Sequence, residues 1–204
     1  MRRLVGEPAR RLEDLDEGTR RHRYGEPARR LEDLDGRWTA LRILYGIRRF
    51  SEDMDFSLIK AKGYNFKKLS TDLLYELKKN GFKVESKQRT VSIVNSCLFK
   101  FNGLLDQLGI QGYHKVKLFI KIEVDSNPPK GWNVIVVPLT DRFVITVNTF
   151  DLPSLFATKI HACFFRKYTK GRDYYDLVWY LGKKIVPNIK LLNNAVIQTE
   201  KKNR

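Results

Sequence analysis

From Trp38 onward the apolar positions switch between two periods. Met54–Ile59 sets Phe56 and Leu58 on one face and Asp53, Asp55 and Ser57 on the other, the alternation of a half-buried strand. Phe66, Leu69, Leu73, Leu74 and Leu77 recur at three- and four-residue steps, which predicts an amphipathic helix over Asn65–Asn80, ended by Gly81. Strands are expected around Phe82–Glu85, Thr90–Phe101 and Val116–Asp125, the last alternating as Val116, Leu118, Ile120, Ile122 and Val124. Pro128, Pro129 and Gly131 mark a turn, and Asn133–Val137 and Phe143–Val147 are further strand candidates. Upstream, Trp38–Gly46 is a short helix with Leu41, Leu44 and Tyr45 on its apolar side and Gly46 closing it. After Thr149 the period becomes helical. Asp151 is a good N-cap with Pro153 in the first turn of a helix to about Arg166, Gly171 precedes a second over Arg172–Leu181, and Asn188–Glu200 reads as a third. The pattern predicts an α+β protein, a mixed sheet with flanking helices followed by a C-terminal helical region.

Residues 1–37 do not share this pattern. GEPARRLEDLD stands at Gly6–Asp16 and again, identically, at Gly25–Asp35. Each copy has only two strongly apolar residues, Leu12 and Leu15 or Leu31 and Leu34, too few to bury a core. Composition breaks near Gly36: no Lys, Ile, Asn or Phe precedes it, while 21 Lys and all twelve Phe follow. Three parts are therefore expected: a poorly packed duplicated Arg/Glu-rich segment at 1–37, a core at 38–150, and a shortened helical region at 151–204.

Charge sharpens this division. The first 37 residues carry ten Arg against nine acids, so nearly all of the formal +16 belongs to the body, where a nucleotide, a nucleic acid or an acidic protein surface would suit it. No run approaches the roughly 18 apolar residues of a membrane span, and no apolar stretch follows the charged N-terminus, so neither a membrane segment nor a secretory signal is expected. Cys97 and Cys163 lack zinc-site spacing and are expected to be buried free thiols in a cytoplasmic protein.

The sharpest chemical constellation is Arg49-Phe50-Ser51-Glu52-Asp53-Met54-Asp55-Phe56. Two carboxylates at i and i+2 on a strand point to one side and supply the hard oxygen ligands that Mg²⁺ requires. By spacing alone such a pair is a weak signal; its setting, between a helix closed by Gly46 and an apolar strand, raises its weight.

TALRILYGIRRFSEDMDFSL resembles the first motif of the AbiEii/AbiGii toxin family, nucleotidyltransferases related to the polymerase-β superfamily. FIKIEVDSNPPKGW resembles the family's second motif and LFATKIHACFFRKYTKGRDYYDLVWYL its third, in the expected order over about residues 39–200. The resemblance implies a nucleotidyltransferase fold. It implies that Asp53, Asp55 and Glu123 hold Mg²⁺, with Ser51 and Arg49 beside the phosphates. Lys159 would hold the triphosphate, Asp173 would be the late catalytic acid, and Arg172 would be a substrate contact. Asp176 and Arg166 would be secondary contacts or a structural ion pair, and His161 carries little weight. The residues alone admit plainer accounts: Glu123 as half of a solvated salt bridge, Lys159 as an exposed helix lysine, Asp173 as an acid favoured by a helix N-terminus.

The family's small residues before Thr-Ala-Leu are replaced here by Arg37 and Trp38. Two functions therefore stand open. One is a toxin of a toxin–antitoxin or abortive-infection system, transferring a nucleoside monophosphate from an NTP to a tRNA or protein hydroxyl and restrained by a cognate antitoxin. The other is a catalytically inactive, truncated remnant that retains nucleotide or RNA binding. A simple RNA-binding module ranks last, because the chain lacks the interleaved aromatic and basic runs of an RNA-recognition sheet.

Overall fold

The computed structural model describes residues 34–48, 53–90, 92–110, 116–140, 144–168 and 170–202. Strand β1 (Leu34–Gly36) leads directly into helix α1 (Arg37–Ile43). Then follow β2 (Asp53–Leu58), α2 (Phe66–Lys79), β3 (Val84–Arg89), β4 (Val94–Phe101), the short α3 (Leu104–Gln107), β5 (Leu118–Asp125), β6 (Val134–Thr140) and β7 (Val144–Phe150). Helices α4 (Leu152–Phe165), α5 (Gly171–Gly182) and α6 (Ile189–Lys202) complete the chain. The expected α+β architecture is the observed one.

Five strands form one sheet in the order β1-β2-β5-β4-β3, and β6 and β7 form a separate antiparallel pair. Only β2 and β5 run parallel; the other neighbours are antiparallel. The repeat's last two residues and the Gly36 that follows thus have a structural use: Leu34–Gly36 pairs with Phe56–Leu58 and supplies the sheet edge. Most of the segment expected to pack poorly lies outside the described residues.

Caps and closing turns explain where elements begin. Asn65 Oδ1 accepts from Lys68 N at 2.9 Å and opens α2. At its other end Gly81 turns left-handed at φ 86°, and Phe82 N donates to Leu77 O at 3.1 Å. That closing turn consumes Phe82, so β3 starts at Val84 rather than Phe82. Ser92 Oγ likewise donates to Val94 O at 2.7 Å in the turn ahead of β4, so β4 starts at Val94 rather than Thr90.

One face of the sheet is apolar. Cys97, Phe99, Phe101, Ile122 and Val124 pack with Leu58, and α2 covers them with Phe66 and Leu69. A second core joins the helical region to what precedes it: Ala40, Leu41 and Ile47 pack with Phe150, Leu155, Phe156 and Tyr180. Within it Trp132 stacks on Phe150 at 5.3 Å and Phe156 on Tyr180 at 4.6 Å.

Helix α6 is fastened to the β5–β6 loop by side-chain amides donating to backbone carbonyls. Asn188 reaches Gly131 O at 2.9 Å, Asn194 reaches Lys130 O at 2.7 Å, and Gln198 reaches Asn127 O at 2.9 Å. Gly131 permits the approach with a φ of 106°, where an added Cβ would lie 3.3 Å from Asn194 Nδ2 and 3.4 Å from Leu191 N. Gly131→Ala is therefore expected to lower unfolding free energy by about 1–3 kcal/mol, read from urea denaturation; an unchanged midpoint would show that this approach is not tight in solution.

Candidate active site

The face of the sheet opposite α2 carries the acids. Alternation along β2 turns Asp53, Asp55 and Ser57 away from the apolar core, and on β5 it does the same for Lys121, Glu123 and Asp125. The parallel register sets Asp55 directly beside Glu123, Asp53 beside Lys121, and Ser57 beside Asp125. Neighbouring strands lie about 4.8 Å apart, so these pairs are side by side. On the far flank Ser96 of β4 pairs with Glu123. The three acids singled out in the sequence thus occupy two adjacent central strands and one face.

Cations meet them there. Lys121 Nζ lies 2.6 Å from Glu123 Oε1, an ion pair along one strand rather than across two. Arg172 Nη2 in the first turn of α5 donates to Asp53 Oδ2 at 3.1 Å, which sets α5 over the carboxylate face. With their side chains turned to these partners, no group of three or more His, Cys, Asp or Glu is poised around a metal position among the described residues. The donor set and strand register nevertheless fit a divalent cation: carboxylate oxygens on one face, beside the buried Ser57 Oγ, which has no hydrogen-bond partner among the described residues.

Lys159 departs from the plain expectation of an exposed lysine. It is 1% exposed, with its ammonium 2.9 Å from Asp173 Oδ1 and 2.7 Å from Asp176 Oδ2. Arg166 Nη1 adds a contact to Asp173 Oδ2 at 3.2 Å, and Lys170 N donates to the same oxygen at 3.2 Å. Burial pulls the Lys159 ammonium below the usual lysine value, and Asp176 and Asp173 oppose that pull. For Asp173, burial acts to raise the carboxyl, but the hydrogen bond and charge of Lys159, the Lys170 N–H and Arg166 outweigh it and hold the group below the ordinary aspartate range.

A cleft of about 300 Å³ opens beside this cluster, between the end of β5, α4 and α6; Asp125, Asn127, His161, Arg166, Gln198 and Thr199 are among its walls. His161 Nε2 is 2.9 Å from Thr199 Oγ1, and its ring stacks on Phe165 at 4.8 Å. Burial lowers the His161 pKa, which keeps the ring neutral near pH 7. Cys97 is fully buried and its thiol is pushed up to about 11, so it is no nucleophile at neutral pH; Cys163 is half-buried. Arg49 and Ser51 lie outside the described residues.

Sequence reasoning missed the charge partners. Lys121 drew no attention as the neighbour of Asp53, because strand register is invisible from one strand. Asp176, expected as a secondary contact or in a structural ion pair with Arg166, pairs with Lys159 instead; its spacing of one helical turn from Asp173 sets both acids on one face of α5.

A family model described as "Nucleotidyl transferase AbiEii toxin, Type IV TA system" matches residues 39–204. No curated protein and no solved structure matches the chain. Among the described residues, no helix is long and apolar enough to cross a membrane.

Lys159→Met removes a cation that touches both buried acids and is expected to cost about 3–5 kcal/mol in chemical denaturation. Adding Asp173→Asn and Asp176→Asn should recover much of that loss; no recovery would mean that the lysine contributes by packing alone. Because the folded-state pKa of Asp173 is depressed, its contribution is complete above the ordinary aspartate pKa and is lost as pH falls through the lowered one. The Tm gap between the native chain and Asp173→Asn should accordingly shrink as pH falls below about 4.

Proposed function

Since the chain belongs to the AbiEii nucleotidyl transferase toxin family, we propose that it transfers a nucleoside monophosphate from an NTP to a hydroxyl of a tRNA or a protein. In this reading it acts in the cytoplasm as the toxin of a toxin–antitoxin pair, held in check by a cognate antitoxin. One observation carries the assignment of the site: Asp55 beside Glu123 in the β2–β5 register, with Asp53 on the same face.

Asp53, Asp55 and Glu123 would hold Mg²⁺, which when bound supplies positive charge to phosphate oxygens and to the pyrophosphate that leaves. The acceptor hydroxyl oxygen forms the new bond to the α-phosphorus as the bond to pyrophosphate breaks, and its proton passes to a carboxylate of this face. Arg172, already at the face through Asp53, binds phosphate oxygens and orients the nucleotide for in-line attack. Lys159 is proposed as the triphosphate cation; to meet a phosphate its ammonium has to leave Asp173 and Asp176. Asp173 supports that exchange by holding Arg166 at the cleft when Lys159 moves. Ser51 and Arg49 are proposed as further phosphate contacts. The organisation behind this chemistry is proposed as a core at 38–150 and a helical region at 151–204.

A second reading is a silent relative that keeps nucleotide or RNA binding. It is favoured by Lys159 being committed to two buried acids and by Arg37 and Trp38 at the start of α1.

Incubation with labelled NTPs, Mg²⁺ and total tRNA separates the two. Labelled tRNA or labelled protein is expected, and Asp55→Ala should reduce it roughly 1,000-fold or more, since the metal contributes several kcal/mol at tenfold per 1.4. No product from any NTP, with a cooperative thermal transition intact, selects the silent reading.

A further inference from the structure

The α4–α5 corner is chemically unlike the rest of the surface. Between Phe164 and Tyr175, the twelve residues include five aromatic and four basic ones, with a single acid, Asp173. A soluble surface ordinarily hides such rings, yet Phe164 is 77% exposed, Tyr168 76% and Tyr174 55%. They follow one another around the corner: Phe164 lies in the last turn of α4, Tyr168 in the connection, and Tyr174 in the first turns of α5. Lys167 Nζ stands 5.5 Å from the centroid of the Tyr168 ring, and Lys170 is exposed on the same connection.

The one acid of the segment does not dilute this charge. Asp173 is 1% exposed and turned inward to Lys159 and Arg166, so the charges that the described residues of this segment present to solvent are cations. The sheet has no interleaved aromatic and basic run, but this corner does, on a helix–turn–helix connection instead. The corner is also physically tied to the carboxylate face: Arg172 lies between Lys170 and Tyr174 in sequence and donates to Asp53.

We infer that the α4–α5 corner docks single-stranded RNA, stacking unpaired bases on Tyr168, Tyr174 and Phe164 while Lys167 and Lys170 bind the phosphates. Flat rings without a fixed hydrogen-bonding edge beside them stack any base, and mobile ammonium groups track a backbone without reading sequence. A duplex hides its bases and offers phosphates alone, so it gains nothing from the rings. An acidic protein surface would use the cations but gives no reason for three exposed rings. The inference rests on the proposed transfer reaction in one respect: an RNA end held here lies next to Arg172 and Asp53, which makes single-stranded RNA the acceptor class of that same face.

The test measures binding by the full chain of a fluorescein-labelled twelve-nucleotide mixed-sequence single-stranded RNA, by anisotropy over a salt series. A matched duplex RNA, and vesicles with a high fraction of phosphatidylserine, serve as competing probes. Tyr168→Ala with Tyr174→Ala is expected to weaken single-strand binding by about tenfold to several hundredfold, with little change for duplex. Lys167→Ala with Lys170→Ala should lower the salt slope by about 1.4 for single-stranded RNA. Both double variants should keep the thermal transition of the native chain, since the substituted side chains are exposed. Unchanged RNA affinity in the ring variant overturns the inference, as does equal binding of duplex or capture by the vesicles without RNA binding. The two conclusions fail separately. Absence of transfer by the native chain, with ring-dependent RNA affinity retained, upholds this surface whatever the reaction, whereas transfer to tRNA that ignores the ring substitutions leaves the reaction standing and removes the surface.

Discussion

Parallel pairing of β2 with β5 is the constraint on which the rest depends. Because β5 is inserted between β2 and β4, both acid-bearing strands are interior to the sheet, and α2 seals the apolar face beneath them. The two-residue period then leaves no freedom. A slip of one residue on β5 would carry Glu123 into the core of Leu58, Phe99 and Leu69 and expose Ile122 and Val124 on the carboxylate face. Burial of the apolar face therefore enforces the meeting of Asp55 and Glu123, with no contact between the carboxylates themselves required.

Placing acids together has an electrostatic cost, and the molecule meets it by bringing cations from other elements. Lys121 lies along the same strand as Glu123, while Arg172 crosses from α5 to Asp53. Deeper in the helical region, Lys159 and Arg166 offset Asp173 and Asp176. A buried pair of this kind does not add much net stability, because desolvation consumes most of the attraction; its effect is to make wrong arrangements of α4 against α5 expensive. The same cluster keeps the single acid of the α4–α5 corner inside, so inner neutrality and outer positive charge have a common origin. It also holds Arg172 at the start of the helix that stands over the acids.

The helical region is anchored from two directions. Its apolar residues share a core with α1 and Phe150, and its last helix is fastened by three amides to the β5–β6 loop. That loop leaves directly from Asp125, on the carboxylate face. The cleft lined by Asp125, His161 and Arg166 is where these parts meet.

Much of this was legible along the chain, because it rests on local chemistry. Asp151 was identifiable as a cap, the amphipathic stripe of α2 and the alternation of β2 and β5 could be counted, and the acids could be assigned to one side of each strand. Family likeness, carried by three motifs, gave the fold and the broad activity. Strand order, the use of Leu34–Gly36 as an edge and the pairing of Asp53 with Arg172 could not be read in the same way. Nor could the burial of Lys159, whose helix pattern alone describes a lysine at the border of an apolar stripe. The division is physical: caps and periods depend on neighbours within a turn or two, and one sequence displays those. Which strand lies beside which, and whether a charge is solvated or enclosed, depends on partners brought near only when the two cores close.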